Sequence, residues 1–522
     1  MEQYNFSNEP ASRQDLPSLS KPILLSLVVA KVLLHIPGLF RYGYFRDELY
    51  FLDGARHLDW GYVDHAPLVA VYAKVALLFG GSLPSLRVLS ILAGVGTVVL
   101  TILIARQLGG GTFAQALAGV AILVAPVHLM IDSILSMNAF EPLFWMGCVY
   151  LLIRLIRGGN PRLWLAFGAL AGLGLQNKHS TVFFGAAVAV AVLATPLRRE
   201  LKKPWIWLGA AAALAIFIPN IIWQWQHGFP TIEDLQNVRA TGKNVALAPL
   251  AFLGQQALMM HPATLPIWLA GLWFLFFGRG RSFRAVGWVY VALLAIMMAL
   301  KGKDYYLAAA YPMLLAAGGA AIEGWTSALS DLRGRKVTQG LIAVAVVLAG
   351  AVLAPLALPL LQPQTFVAYQ DWLGLHPPKT EVAHVGPLPQ LWGDQFGWPE
   401  LVAEVAEIYW SLPPEERSRT GIYASNYGEA GAINLFGPEH GLPPAICAHQ
   451  THSMWGPGDF DGDILIWLQW EQEWLEGICV SVEVVGEHHH PWGMAEENRP
   501  ILLCREPRSS LQELWPELRH WN

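Results

Sequence analysis

Eleven long apolar runs decide what this chain can fold into. They cover approximately residues 22–40, 83–105, 112–130, 139–157, 162–176, 178–195, 204–224, 250–277, 284–300, 306–323 and 337–361. Crossing a hydrocarbon core of roughly 30 Å takes about 20 apolar residues in a helix. Backbone polar groups in lipid need partners within the segment, so runs of this length read as helices rather than barrel strands. The short pair 162–176 and 178–195 reads as a helical hairpin. Charged residues make up 14% of the 522 and hydrophobic residues 54%, against roughly 25% charged in an average soluble domain. A soluble enzyme, a disordered chain and a disulfide-rich secreted scaffold are excluded. A formal net charge of −5 gives no reason to expect nucleic acid as a partner.

Orientation follows from the cations, because Lys and Arg concentrate in cytoplasmic loops. Short basic clusters follow alternate runs: Arg106; Arg154, Arg157 and Arg162; Arg198, Arg199, Lys202 and Lys203; Arg279, Arg281 and Arg284; Arg333, Arg335 and Lys336. Placing these inside makes residues 1–21 a cytoplasmic tail. It puts residues 41–82, 131–138, 225–249, 301–305 and everything beyond 361 outside. Met1 to Ser20 lacks the basic start of a signal peptide, so the first run reads as a retained helix. An odd number of spans is required, and eleven satisfies it.

Beyond residue 361 no run is long enough to span. "DILIWLQW" and "GICVSVEVVGE" have strand-like length and β-branched content, and "PELVAEVAEIYWSLPPEER" reads as an amphipathic helix stopped by prolines. The reading is a transmembrane domain over 22–361 followed by a small extracytoplasmic α/β domain over 362–522. Cys447, Cys479 and Cys504 in that domain permit at most one internal disulfide; Cys148 lies inside an apolar run. His488, His489 and His490 point in divergent directions on any regular backbone, which argues against a metal site there. His449 and His452, near Trp455, are candidates for an acceptor cleft and equally for ordinary surface.

The first external loop, 41–82, is the densest in chemistry. It carries Arg46, Asp47, Glu48, Asp53, Arg56, His57, Asp59, Asp64 and His65 among Tyr42, Tyr44, Phe45, Tyr50, Phe51, Trp60 and Tyr62. Adjacent acids on a loop are commonly a solvated face. Here the aromatics suggest a segment seated at the membrane interface. A carboxylate held there is partly desolvated, which raises its pKa and makes it a better base near neutrality.

The segment "YFRDELYFLDGARHLDWGYVDHAPL" resembles the first external loop of bacterial GT-C glycosyltransferases of the protein-mannosyltransferase-like group. That group includes the protein O-mannosyltransferases and the lipid A aminoarabinose transferases. "GKDYYLAAAYPMLLAAGGA" (302–320) resembles the group's external Lys-Tyr-Tyr segment, and "YGEAGAINLFGPEHGLP" (427–443) is similar to bacterial members. The resemblance implies transfer of a sugar from a polyprenyl-phosphate donor to an extracytoplasmic glycan, lipid or protein acceptor, at the outer face of a cell (inner) membrane. It implies Asp47 as the general base for the acceptor hydroxyl, with Glu48 orienting the acceptor or holding Arg46 or a nearby cation.

Inverting transfer needs one carboxylate opposite the leaving group and positive charge for the departing phosphate. Lys303, Lys178, Arg46 and His65 are the candidates for that anionic site, and Tyr305 and Tyr306 can bond the phosphate or stack on the sugar. The plainer reading of Lys303 is a snorkelling lysine at a helix end; Lys178 sits at the hairpin turn. "GLGLQNKHS" lacks the spacing of a phosphate-binding P-loop. Glu141, beginning a span with Asn138 three residues before it, reads as a second site acid or as a helix N-terminal acid; Asp132 is the substitute. A divalent metal ion is left open as a cofactor. The rival function is a transporter or lipid flippase, which calls for midplane charges and paired repeats. A sensor built on the C-terminal domain would leave the acid-rich loop unexplained.

Overall fold

The structure, a computed structural model, describes residues 16–375, 386–468 and 471–521. Most of the N-terminal tail lies outside the described residues. Among those described, seven helices are long and apolar enough to cross a membrane alone: Lys21–Leu39, Leu83–Gln107, Met137–Ile156, Pro204–Gln226, Arg281–Ala299, Asp304–Ser327 and Leu332–Ala357. Two further runs are bent. Thr181–Ala194 turns by 102° into Pro196–Lys202, and Pro249–Met259 turns by 94° into Pro262–Phe276. Both breaks fall where a proline disfavours helical backbone in the residue before it. The remaining two of the eleven runs form the shorter helices Thr112–Leu123 and Leu163–Asn177, the first ending just before Pro126. Every apolar run is therefore helical, in rough agreement with the expected eleven, and two of the runs bend at prolines.

The helix Tyr311–Ser327 is the most enclosed, buried along most of its length, whereas Pro204–Gln226 exposes most of its apolar surface, as a lipid-facing helix does. Two cations, Lys31 and Arg87, lie inside apolar runs and are fully enclosed. Arg87 bonds the Gly38 carbonyl at 2.6 Å, the Gly43 carbonyl at 2.7 Å and both oxygens of Glu48 at 3.2 and 3.0 Å. It also reaches Gln395 at 3.1 Å. One guanidinium thus ties the end of the first span, the first loop and the C-terminal region together.

The first loop is folded. It forms the helices Arg46–Arg56 and Leu68–Leu78. Glu48 starts the first by accepting the Phe45 N–H at 2.9 Å, and two acids in the first turn suit the positive end of the helix. Glu48 through Ala55 are all buried, covered by the C-terminal domain.

That domain holds five strands: β1 (Thr420–Ala424), β2 (Ala445–Cys447), β3 (Ile464–Leu468), β4 (Cys479–Glu487) and β5 (Pro500–Pro507). They lie in the order β2-β1-β3-β5-β4. β1 is parallel to β2 and β3, while β5 is antiparallel to β3 and β4. The expected helix forms over Trp398–Ser411 and ends ahead of Pro413. Cys479 and Cys504 form a disulfide, and Cys447 stays a buried thiol.

With β1 between β2 and β3, the carboxyl ends of these strands border a topological switch point, where α/β sheets present their binding crevice. The helix Tyr427–Phe436 leaves β1 there, capped by Asn426, which accepts the Gly428 and Glu429 N–H groups at 2.9 and 3.1 Å. The first-loop helix packs into this crevice. At the crossing, a Cβ on Gly431 would lie 2.7 Å from the Cβ of Leu49, so only glycine permits this approach.

Candidate active site

Asp47 sits in the first turn of Arg46–Arg56, half-buried where the helical bundle meets the C-terminal domain. The Tyr427 hydroxyl donates to its Oδ1 at 3.0 Å. Glu48, one residue on, points the other way. Its Oε1 also accepts the Leu135 N–H at 2.8 Å, and with Arg87 on both oxygens it is fully enclosed. The cation that Glu48 holds is Arg87, not Arg46, and no face of it is left for an acceptor.

Arg46 is likewise committed. Its Nη2 pairs with Asp394 at 3.0 Å and with Glu497 at 2.8 Å. Two carboxylates on one nitrogen leave little positive charge for a phosphate, so its expected place in the anionic site is corrected to a clamp on the C-terminal domain. His65 differs from expectation as well. Burial pushes its imidazole down to about 4, against the raising effects of the Ala66 carbonyl and the Asp47 charge. It is a neutral ring near pH 7, stacked on Tyr62 at 4.4 Å, and its Nε2 has no partner among the described residues.

The second group assembles as its chemistry suggests. Lys178 Nζ donates to Asn138 Oδ1 at 2.8 Å and to Glu141 Oε2 at 3.0 Å. It lies 3.9 Å from the centroid of the Tyr306 ring and 5.9 Å from that of Tyr305. Ser180 donates to the other oxygen of Glu141. Three separate connections, after the third, fifth and ninth apolar runs, converge on one ammonium. Lys303 caps the 3-10 turn Asp304–Ala310 that presents the two tyrosines, and its carbonyl accepts the Tyr306 N–H at 3.2 Å. Asp132 is excluded as a substitute acid by its ion pair with Lys31 at 2.6 Å, where both side chains are buried.

His179 joins the two groups. Its Nε2 contacts Asn220 Oδ1 at 3.2 Å, and Asn220 donates to the Trp60 carbonyl at 2.9 Å. Burial lowers His179 to about 4, with the Asn220 bond opposing and His65 lowering it further. Among the described residues no three His, Cys, Asp or Glu side chains gather in a way that could hold a metal ion. His488 bonds Glu404 at 2.7 Å while His490 accepts the Trp492 and Gly493 N–H groups. His452 faces the first-loop helix, and His449 lies against Tyr427. His452 Nε2 meets Asp53 at 3.0 Å, and His449 stacks on Tyr427 at 5.0 Å.

Residues 64–223 match the family model described as dolichyl-phosphate-mannose-protein mannosyltransferase, a span holding His65, Glu141, Lys178 and His179. ArnT from Cupriavidus metallidurans bound to undecaprenyl phosphate superposes with a TM-score of 0.58 at 15% identity, covering 93% of this chain and 98% of that one. The chain has the GT-C fold of that protein. The apo form of the same ArnT gives a TM-score of 0.58 at 14% identity with the same coverage. No curated protein matches at the level of sequence. The GT-C fold accounts for the multi-pass helical bundle and the small C-terminal sheet domain together.

Sequence reasoning missed Arg87, Tyr427, Asp394 and His179. A lone arginine inside an apolar run was the available signal for Arg87, since an intramembrane charge needs a partner. Asp394 carries no local signal, because its partner is 348 positions away.

Proposed function

We propose that the protein transfers a sugar from a polyprenyl-phosphate donor to an acceptor hydroxyl on the extracytoplasmic side, with Asp47 as the general base. The observation that carries this reading is the arrangement around the junction. A half-buried carboxylate fixed by Tyr427 lies beside neutral His65, and a lysine cluster is gathered from three loops on the same side of the bundle. Asp47 takes the proton as the acceptor oxygen attacks the anomeric carbon, and the bond to the phosphate breaks on the opposite face. Two of the three N–H groups of Lys178 are used by Asn138 and Glu141, which leaves one for a phosphate oxygen. Glu141 then serves to aim Lys178, and Tyr305 and Tyr306 wall the site. The undecaprenyl phosphate bound to ArnT supports a lipid phosphate as the carrier. His65 Nε2 is available to a substrate hydroxyl.

The transfer sites face the side where the C-terminal domain lies, and its disulfide suits an oxidising compartment. The Lys31–Asp132 pair is a buried charge of the kind a transporter employs, but it is closed on itself. Mass spectrometry of envelope lipids and glycans from cells with and without the gene identifies sugar and acceptor. Asp47→Asn restored to the deletion cells should give no product while accumulating as folded protein. Wild-type product from that variant removes Asp47 from the mechanism.

A further inference from the structure

The C-terminal domain does more than cover the first loop. Tyr427 is the first residue of its helix and the hydroxyl reaches Asp47 across 380 positions of sequence. The ring is held on both sides, stacked on Tyr50 at 4.6 Å and on His449 at 5.0 Å, with His449 in turn stacked on His520 at 4.5 Å. Tyr50 is itself fixed, its hydroxyl within 2.6 Å of Thr451 and 2.8 Å of Asp64. The phenol therefore cannot follow the carboxylate if Asp47 rotates; the carboxylate has to come to the phenol. Arg46 with Asp394 and Glu497, and His452 with Asp53, tie the first-loop helix to the C-terminal domain, and Asn434 of the Tyr427 helix donates to Asp53 at 2.8 Å.

We infer that Tyr427 is a positioning residue supplied by the C-terminal domain, which fixes the rotamer of Asp47 and holds it ionised for proton abstraction. The inference rests on the reading of Asp47 as the base. A hydrogen bond donated to the charged form of a carboxyl favours that form, so its loss moves the working range of the base to higher pH. The charged and titratable groups around Asp47 include Arg46 with its partners Asp394 and Glu497, Glu496, the neutral ring of His65, and Tyr427. Tyr427 donates a hydrogen bond to it.

The test uses deletion cells carrying wild type, Asp47→Asn, Tyr427→Phe or Tyr427→Leu, fed by their own polyprenyl-phosphate glycoside. Product is followed by mass spectrometry across external pH, with folded protein measured in parallel. Tyr427→Phe keeps the stacked ring and loses only the hydroxyl. It should accumulate normally, transfer about tenfold more slowly near pH 7, and show its acid limb displaced upward by about one pH unit, so that activity recovers as the medium is made more alkaline. Tyr427→Leu, which loses the stack too, should be slower at every pH. A Tyr427→Phe protein with wild-type rate and pH profile overturns the inference. So does a uniform loss at all pH values accompanied by less folded protein, which would mark Tyr427 as a packing residue. Transfer by Asp47→Asn overturns the underlying reading instead, and the two failures are thereby told apart.

Discussion

Adjacent acids in this chain do different work, and the difference is set by what each faces. Asp47 is half-buried with a tyrosine hydroxyl on one oxygen, while Glu48 is enclosed with Arg87 and two backbone N–H groups on its oxygens. Asparagine keeps an oxygen that can accept the Tyr427 hydroxyl, so Asp47→Asn should abolish transfer and leave thermal stability within about 0.5 kcal/mol of wild type. Glu48→Ala leaves the buried guanidinium of Arg87 without its counter-charge and should destabilise by about 3–5 kcal/mol. Thermal unfolding of the two purified variants checks this, and equal stability would show that the two acids are interchangeable. Lys178→Ala should weaken retention of the lipid-phosphate donor by about tenfold or more while Lys178→Arg restores part of it, measured with undecaprenyl phosphate as probe; unchanged retention would move the phosphate elsewhere. From sequence the acids were visible as a pair, but their division of labour was not. It depends on Arg87, 39 positions away, and on Tyr427, 380 positions away, and no local pattern encodes such partners.

At the scale of elements, the apolar runs are legible because their signal is carried by composition over twenty residues at a time. The first loop is not, because its helix is stabilised from outside. Arg46–Arg56 buries Leu49 against Gly431 and the aromatic face of Tyr50 against Tyr427, and both partners belong to another domain. Of its aromatics, Tyr50 forms part of the seam between the loop and the C-terminal domain. Strands β3 and β4 and the helix Trp398–Ser411 were readable, since each satisfies its own periodicity. The seam makes a prediction. In Gly431→Ala the new Cβ meets the Cβ, carbonyl carbon and oxygen of Leu49 at 2.7 to 2.9 Å, and backbone cannot yield as a side-chain tip can. Overpacking of this kind costs about 1–3 kcal/mol. The displaced helix carries Asp47 two residues before the clash, so transfer should fall by more than the loss of folded protein explains. Product formed per folded molecule is the measurement, and a value equal to wild type would show that the crossing does not position the base.

For the whole molecule, buried titratable groups of opposite kind are set against each other near the junction with the C-terminal domain. His65 and His179 are held near 4 by burial, below the ordinary value of about 6.5. Each binds its proton more weakly folded than unfolded, so their contribution is complete above about pH 6.5 and is lost as pH falls to about 4. Asp64 and Asp234 are raised by burial to about 6. They take protons more readily when folded, so their contribution is complete near the unfolded value of about pH 4 and is lost as pH rises through about 6. The two pairs oppose across nearly the same window, and the protein should be least pH-sensitive where an exposed extracytoplasmic face meets mild acid. Single substitutions unbalance it in opposite directions. On acidification from pH 6.5 to 4, His65→Asn should gain stability relative to wild type, by up to about 3 kcal/mol for a shift of this size. Asp234→Asn should lose stability relative to wild type over the same range. Melting temperatures of the three proteins in detergent across that range decide the matter. Both variants tracking wild type throughout would mean that these groups titrate alike in the folded and unfolded chain, and that the junction is open to water rather than closed by the C-terminal domain.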